Sequence, residues 1–426
     1  MHVILVTVGT DGDVLPYIGL GAVLRSRGHQ ATLVASAHYE SMAHGHGLAF
    51  RALVSEAENR ELFSHPDFWN PLKSAPLAAR WGVRFIRRQY DLVSQLLTKD
   101  AVIVSSPGVF ASAMVHEKSG APLASLVLQP GLIPSSIAPP IMPGFAFLRH
   151  APRPVWKVFW RGLDLVGAVL VGRKLNPLRA SLGLKPVRRI FQNWLSPQLA
   201  IGLFPEWYGP PQTDWPRQMR LTEFPLFDGG QGSDLSSGLR EFCRNGNPPV
   251  AFTFGTGMAH PEALFRAALE ACEMGGLRGI FLTKHEKALP TPLPPSIYHS
   301  HFAPFHKLFP LCAAVVHHGG IGTVAEALAT GTPQLIRPLC FDQFDNAVRI
   351  RRLGVGAWVK SGCFDGRRIA EALKGLLTPE TQARCRGIPE RFNKNDGLHA
   401  AADYVEKLAL NVESSSKTTS ISARNA

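Results

Sequence analysis

Several signals that would settle the chemistry at once are missing from this chain of 426 residues. Its six cysteines, Cys243, Cys272, Cys312, Cys340, Cys363 and Cys385, form no CxxC pair and no set with zinc-ligand spacing. They read as small buried hydrophobes in a reducing compartment. No GxxxxGK[ST] string occurs, which excludes a P-loop. The longest apolar run, Gly162 to Gly172, covers 11 residues and contains Asp164, too short to cross a bilayer. The chain opens directly on the strand-like "MHVILVTVG", with no basic n-region and no small-residue cleavage site, so no secretory signal is expected. The expected location is the cytoplasm, with peripheral contact at the inner membrane face as an option. No short internal repeat is present.

What is present describes a globular chain, 45% apolar and 18% charged, long enough for two domains. The net charge of +13 is uneven: Arg80 to Arg189 holds 16 Lys/Arg against 4 Asp/Glu, a local +12. Such a field attracts anionic lipid headgroups, an acidic acceptor or nucleic acid. A solvated basic face is the plainer reading.

Strand-like and helix-like segments alternate through the first half, in "HVILVTVG", "VLPYIGLGAVLRSRGH", "QATLVAS", "AVIVSS", "APLASLVLQ" and "QLAIGLF". Fully apolar strands between helices indicate a parallel sheet covered on both faces. The stretch from Pro130 to Pro197, rich in proline, tryptophan and arginine, breaks the rhythm and reads as loops and helices inserted over the sheet edge. After a Gly/Ser/Asp-rich linker the alternation restarts, in "PPVAFTFGTG", "GIFLTKH", "AAVVHH" and "TPQLIRPL". The expected fold is α/β: two doubly wound Rossmann-like domains facing each other across a cleft, over residues 1–222 and 238–412. A linker covers 223–237 and a disordered tail 413–426.

Four stretches carry chemistry. In "TVGTDGDVLP" a strand ends in a glycine turn, and Asp13 stands at a helix start. Asp13 is either an N-cap worth roughly 1 kcal/mol or a base taking a proton from an incoming hydroxyl. "FTFGTGMAHPE" repeats the design, with Gly255, Thr256 and Gly257 making an anion-binding turn. "VVHHGGIGTVAEAL" sets Gly319, Gly320, Gly322 and Thr323 at a helix N-terminus suited to a diphosphate. There His318 donates a hydrogen bond, Glu326 one turn later faces vicinal hydroxyls, and His317 reads as a packed core histidine. In "PLCFDQFDNA", Asp342, Gln343 and Asn346 supply donors and acceptors that match sugar hydroxyls, although Asp342 reads equally as an N-cap.

These residues carry a family resemblance. The chain resembles the GT-B glycosyltransferases of family 1, the UDP-glycosyltransferase superfamily, and within it the bacterial branch of sterol, macrolide and glycopeptide glycosyltransferases and the rhamnolipid rhamnosyltransferase. "GTDGDVLPYIGLG" resembles the N-terminal signature of that branch, and "HHGGIGTVAEALATGTPQLIRPLCFDQFDNA" the C-terminal donor signature. "EFPLFD" at the linker resembles the rhamnolipid enzyme. The resemblance implies Asp13 as catalytic base. It implies His318, Gly320 and Thr323 on the donor diphosphate, Thr256 facing the phosphates or the acceptor, Glu326 on the ribose, and Asp342 and Gln343 on the sugar; the residues themselves add Gly322 to the diphosphate seat and Asn346 to the sugar cluster. Plant relatives carry Trp-x-Pro-Gln where a tryptophan stacks on uracil; here "HFAPFHKLFP" sets Phe302 and Phe305 at about those positions.

The expected reaction is inverting transfer of a hexosyl group from a nucleotide sugar, expected to be a UDP-hexose, to a hydroxyl of a hydrophobic acceptor. Neither metal nor cofactor is expected, and no nucleic acid. Phe145, Phe147, Trp156, Phe159, Trp160 and Trp194, interleaved with Arg149, Arg153, Lys157 and Arg161, suit a greasy acceptor delivered from an anionic membrane. Three alternatives stand beside this reading: a dTDP-rhamnose-dependent enzyme acting on a hydroxy-fatty-acid lipid, a sugar-nucleotide epimerase, and a non-catalytic partner of another transferase.

Overall fold

The computed structural model describes residues 1–230, 234–255, 258, 261–392 and 396–422. The apolar runs pair into two parallel sheets. The first joins β1 (His2–Val6), β2 (Gln30–Ser36), β3 (Ala49–Val54), β4 (Ala101–Ser105), β5 (Leu123–Val127), β6 (Leu199–Gly202) and β7 (Met219–Leu221). Their order is β3-β2-β1-β4-β5-β6-β7. The second joins β8 (Val250–Thr253), β9 (Gly279–Leu282), β10 (Ile297–Ser300), β11 (Ala314–His317), β12 (Gln334–Ile336) and β13 (Gly356–Trp358), in the order β10-β9-β8-β11-β12-β13. Strands β1, β4, β5, β8 and β11 are buried along their whole length, because helices cover both faces. The strands that apolar runs do not announce, β3, β7, β10 and β13, lie at sheet edges and carry partly exposed residues.

Strand order reverses beside β1 in the first sheet and beside β8 in the second, with β4 and β11 as the neighbours across each switch. At such points the loops leave in opposite directions and open a crevice at the carboxyl edge. Asp13 follows β1, Gly255 follows β8 and His318 follows β11, so all three stand at switch points.

Seven helices frame the cleft and its surroundings: α1 (Asp11–Ser26), α2 (Arg153–Gly167), α3 (Arg173–Ser181), α4 (Glu262–Gly275), α5 (Ile321–Ala329), α6 (Gln343–Leu353) and α7 (Gly397–Ser422). The insert expected between Pro130 and Pro197 holds α2 and α3, linked by a π-helical turn at Ala168–Gly172. Trp156 and Trp160 are buried beneath α2, and the Trp160 Nε1–H donates to the Ser135 carbonyl at 2.9 Å. These two indoles therefore hold the insert together, whereas an acceptor-facing position was expected for them.

Helix α7 corrects the domain boundary. Residues 238–412 were expected to form one domain, but Leu398, Ala401, Ala402, Val405 and Leu408 pack into the first sheet's core beside Tyr17, Leu20 and Leu24. Arg27 reaches Asp403 at 2.6 Å and Glu406 at 3.0 Å across this seam. The helix also continues to Ser422, past the expected start of a disordered tail at 413. Its apolar residues recur at helical spacing, so one face must be covered, and α1 supplies the cover.

The two sheets meet at α6. Asp345 accepts from the Ile141 backbone N–H at 3.0 Å and from Arg349 Nε at 2.7 Å. Arg349 in turn donates to the Tyr208 carbonyl at 3.0 Å. A buried ion pair with its remaining groups bonded to the opposite domain fixes how the halves face each other.

Candidate active site

Asp13 sits in the first turn of α1, where Thr10 is the N-cap. Its Oδ2 accepts from the Thr10 backbone N–H at 2.9 Å and from Thr10 Oγ1 at 3.3 Å, the reciprocal half of a capping box. So Asp13 is not the N-cap that one reading expected. Gly9 has φ +136°, and a Cβ there would run into the Asp13 carboxylate, so only glycine admits this turn. Burial raises the Asp13 pKa to about 6, against the Thr10 hydrogen bonds that lower it. A carboxylate poised there is basic enough to accept a proton near neutral pH. Asp11 and Asp13 also spell a literal Asp-x-Asp that the metal-free expectation passed over. Asp11 Oδ1 accepts from Tyr39 Oη at 2.9 Å, so the two carboxylates serve different partners.

Across the cleft, the two histidines separate in role. His317 is fully buried: Gly319 N–H donates to its Nδ1 at 3.2 Å, and its Nε2 meets Gln334 Oε1 at 3.0 Å. That network assigns a neutral Nε2–H tautomer, and burial lowers its pKa to about 3. His318 points elsewhere. A Cβ at Gly320 would lie 2.6 Å from its Nε2, and one at Gly255 would lie 3.0 Å from its Cε1. Two glycines from two switch-point loops therefore cradle one imidazole. Its Nδ1 is buried without a protein partner among the described residues, and burial lowers its pKa to about 4, which keeps the ring neutral.

Gly320 is the N-cap of α5 and receives no side-chain cap. The first intrahelical bond runs from Val324 N–H to the Gly320 carbonyl at 3.0 Å. The N–H groups of Ile321, Gly322 and Thr323 precede that bond and aim outward with the helix dipole, a ready seat for an anion. Thr256, expected on the same phosphates, lies outside the described residues.

Glu326 is partly buried on α5, and its pKa rises to about 7, first through burial and then through the charge of Asp228. Asp228 comes from the linker and approaches His306 Nδ1 at 3.6 Å. The sequence pointed to neither Asp228 nor His306, because no motif marks a linker acid. Of the two phenylalanines near the expected base position, Phe305 stacks on Phe309 at 4.6 Å and is occupied, while Phe302 is exposed.

The sugar-side cluster divides in three. Asp342 Oδ2 accepts from Asn346 Nδ2 at 2.6 Å. Burial and then the Asp13 charge raise the Asp342 pKa to about 7, so acids from the two domains sense each other across the cleft. Gln343 Oε1 accepts from Leu339 N–H at 2.7 Å and Cys340 N–H at 3.1 Å, which shapes the preceding loop. Asn346 is the correction. It is fully buried, accepts from Tyr208 Oη at 2.8 Å and donates to the Gly319 carbonyl at 2.9 Å and to Asp342. Both its donors are used, so it positions Asp342 and the Gly319 turn, where a sugar contact was expected. Phe341, at φ +52°, carries backbone strain beside Asp342 and meets Phe68 of the first domain at 5.4 Å.

Comparison with known proteins points to one class of enzyme. Residues 3–131 match the glycosyltransferase family 28 N-terminal domain, and residues 279–386 the erythromycin biosynthesis protein CIII-like C-terminal domain. The chain is a glycosyltransferase of GT-B fold. O-mycaminosyltylonolide 6-deoxyallosyltransferase of Streptomyces fradiae is 27% identical to this glycosyltransferase over 96% of the chain and 98% of its own length. Sterol 3-beta-glucosyltransferase of Saccharomyces cerevisiae is 26% identical over 94% of the chain, which spans 34% of that longer protein. The calicheamicin glycosyltransferase CalG4 shares the fold, with a TM-score of 0.72 at 20% identity, over 96% of this chain and 98% of its own. VinC in complex with DTDP does so with a TM-score of 0.70 at 17% identity, over 96% and 100%. The glycosyltransferase thus acts on a nucleotide sugar, and switch-point loops are where open α/β sheets commonly bind their ligands.

Proposed function

We propose that this glycosyltransferase inverts the anomeric centre without a metal and moves a hexosyl group from a UDP-hexose to a hydroxyl of a hydrophobic acceptor. Asp13 takes the hydroxyl proton. The oxygen then attacks the anomeric carbon opposite the diphosphate, through an oxocarbenium-like transition state. Charge that develops on the leaving diphosphate meets the N–H groups of Gly322 and Thr323 and the His318 ring. One such donor is typically worth roughly 3 kcal/mol in the transition state. Glu326 takes the ribose hydroxyls, and Asp342 with Gln343 Nε2 the sugar. The observation that carries this reading is the His318 ring, cradled by Gly255 and Gly320 beside the uncapped start of α5, with a buried Nδ1 that has no partner among the described residues.

The greasy acceptor is supported by the relatives, named for tylonolide and sterol substrates. Work at the inner face of the cytoplasmic membrane is part of the reading; among the described residues no helix is long and apolar enough to cross a bilayer. The test is a thermal-shift screen against UDP-, dTDP- and GDP-sugars. Ligand at a hundred times its dissociation constant adds roughly 2.7 kcal/mol of stability. A shift with dTDP-rhamnose and none with UDP-hexoses transfers the donor assignment to the deoxy sugar. No shift with any nucleotide sugar overturns the reading, and NMR showing the donor converted without an acceptor replaces transfer by epimerisation.

A further inference from the structure

Eight of the thirteen large apolar side chains that stand exposed among the described residues fall between residues 72 and 169. Five of them, Val155, Val158, Leu165, Val166 and Val169, recur on α2 and the π-helical turn after it, 40 to 70% exposed. At 100° per residue they occupy one sector about 100° wide. The opposite sector holds Trp156, Trp160 and Gly167, which are buried. Helix α2 is therefore apolar on two opposed faces, and only one is covered by the protein. An uncovered face of this kind marks a contact with a partner or a membrane.

Neighbouring residues extend the face. Phe147, 75% exposed, stands beside Phe145, whose ring meets Phe159 of α2 at 5.0 Å. The charge beside it has one sign. Arg161 borders the stripe with Lys157 next to it further round the helix, Arg153 opens the helix, and Arg173 and Lys174 follow the π-turn. Elsewhere in the basic segment Arg84, Arg87 and Arg88 are matched by Glu61, Asp91 and Glu58, but among the described residues Lys157 and Arg161 have no acidic partner.

We infer that the exposed face of α2, with Phe147 beside it, docks the enzyme on an anionic lipid bilayer. The valine and leucine side chains enter the headgroup boundary while Lys157 and Arg161 meet lipid phosphates, the arrangement of an interfacial amphipathic helix. Two copies of this chain fit the face less well. A two-fold interface apposes the same patch on both partners, and it would bring the unpaired Lys157 and Arg161 rows together. The purpose rests on the hydrophobic-acceptor reading, since a bilayer delivers such an acceptor; the binding itself does not depend on it.

Cosedimentation of the full-length protein with phosphatidylglycerol-rich vesicles, against pure phosphatidylcholine vesicles, tests this. Binding to the anionic vesicles is expected, weakened by salt. Each basic side chain near an anionic surface changes partitioning roughly fivefold. The K157E/R161E variant is therefore expected to bind at least about 25-fold more weakly, and V158D/L165D to lose binding at any salt. Both pairs are exposed and outside the nucleotide site, so unchanged nucleoside-diphosphate affinity verifies their fold. Absence of vesicle binding, or equal binding to neutral vesicles, overturns the inference. So does sedimentation velocity without lipid that shows a dimer dissociated by V158D/L165D. Vesicle binding without transfer to any lipid acceptor keeps the docking face and removes the acceptor reading instead.

Discussion

Replacing Gly320 by alanine tests the histidine cradle with one methyl group. At φ −61° and ψ 141° the Gly320 backbone suits any residue, so the change adds no backbone strain. The new Cβ would lie 2.6 Å from His318 Nε2, well inside contact distance. The ring must move by close to 1 Å, and the Gly255 backbone bounds it on another side. A displacement of that size breaks a hydrogen bond from His318 to a diphosphate. One hydrogen bond to a charged group is worth about 2 kcal/mol, close to a thirtyfold rise in Kd. Titration calorimetry with UDP reads this directly, with thermal unfolding alongside. The unfolding midpoint should move little, because the cost falls on a ring at the cleft and not on the core. Gly322→Ala is the internal control: nothing lies within 4 Å of the position of its Cβ, and alanine favours a helix. G322A should therefore leave the unliganded protein as stable or more so, and any loss of UDP affinity there reports contact with the ligand itself. If G320A binds UDP as tightly as the unmodified protein and turns over at the same rate, His318 does not hold the diphosphate.

Asp13→Asn should lower kcat by roughly 10²–10⁴ with donor affinity unchanged, since the amide keeps the Thr10 bond but accepts no proton; full turnover in steady-state assays removes Asp13 from the base role. In the unmodified enzyme kcat/KM should climb as pH rises through about 6, where Asp13 loses its proton. Asp342 is held at about 7, above its ordinary value, so the folded state favours its protonated form. Its contribution to stability is present at low pH and lost as pH rises through 7. Asp342→Asn should therefore melt higher than the unmodified protein at pH 8, by on the order of 1–3 kcal/mol, and equally near pH 4, as scanning calorimetry reads. Glu326→Gln should weaken UDP binding by about tenfold and dTDP binding less, because deoxyribose lacks one of the two hydroxyls a carboxylate bridges; equal losses in paired titrations remove Glu326 from the ribose.

Much of the candidate site was legible because its requirements are local. A glycine beside an imidazole, an uncapped helix start and a carboxylate one turn further on follow from residues a few positions apart, and the spacing in "HHGGIGTVAEAL" already fixes them. The demotion of His317 was equally local, since its position in a buried strand leaves it only protein partners. Asn346 misled the same logic. Whether an amide meets a sugar or the protein depends on what approaches it, and Tyr208, 138 residues away in sequence, takes that place.

The sequence by itself determined two parallel sheets, their switch-point turns and the glycine-rich loop after β11, because apolar runs, glycine turns and helix starts are properties of short segments. Tertiary structure alone decided that α7 returns to the first domain, that Asp228 joins Glu326, and that Asp13 and Asp342 share one cleft. It also left the outer face of α2 uncovered. Each of these depends on which surfaces meet across long separations, and contacts of that kind leave no period or spacing in the chain.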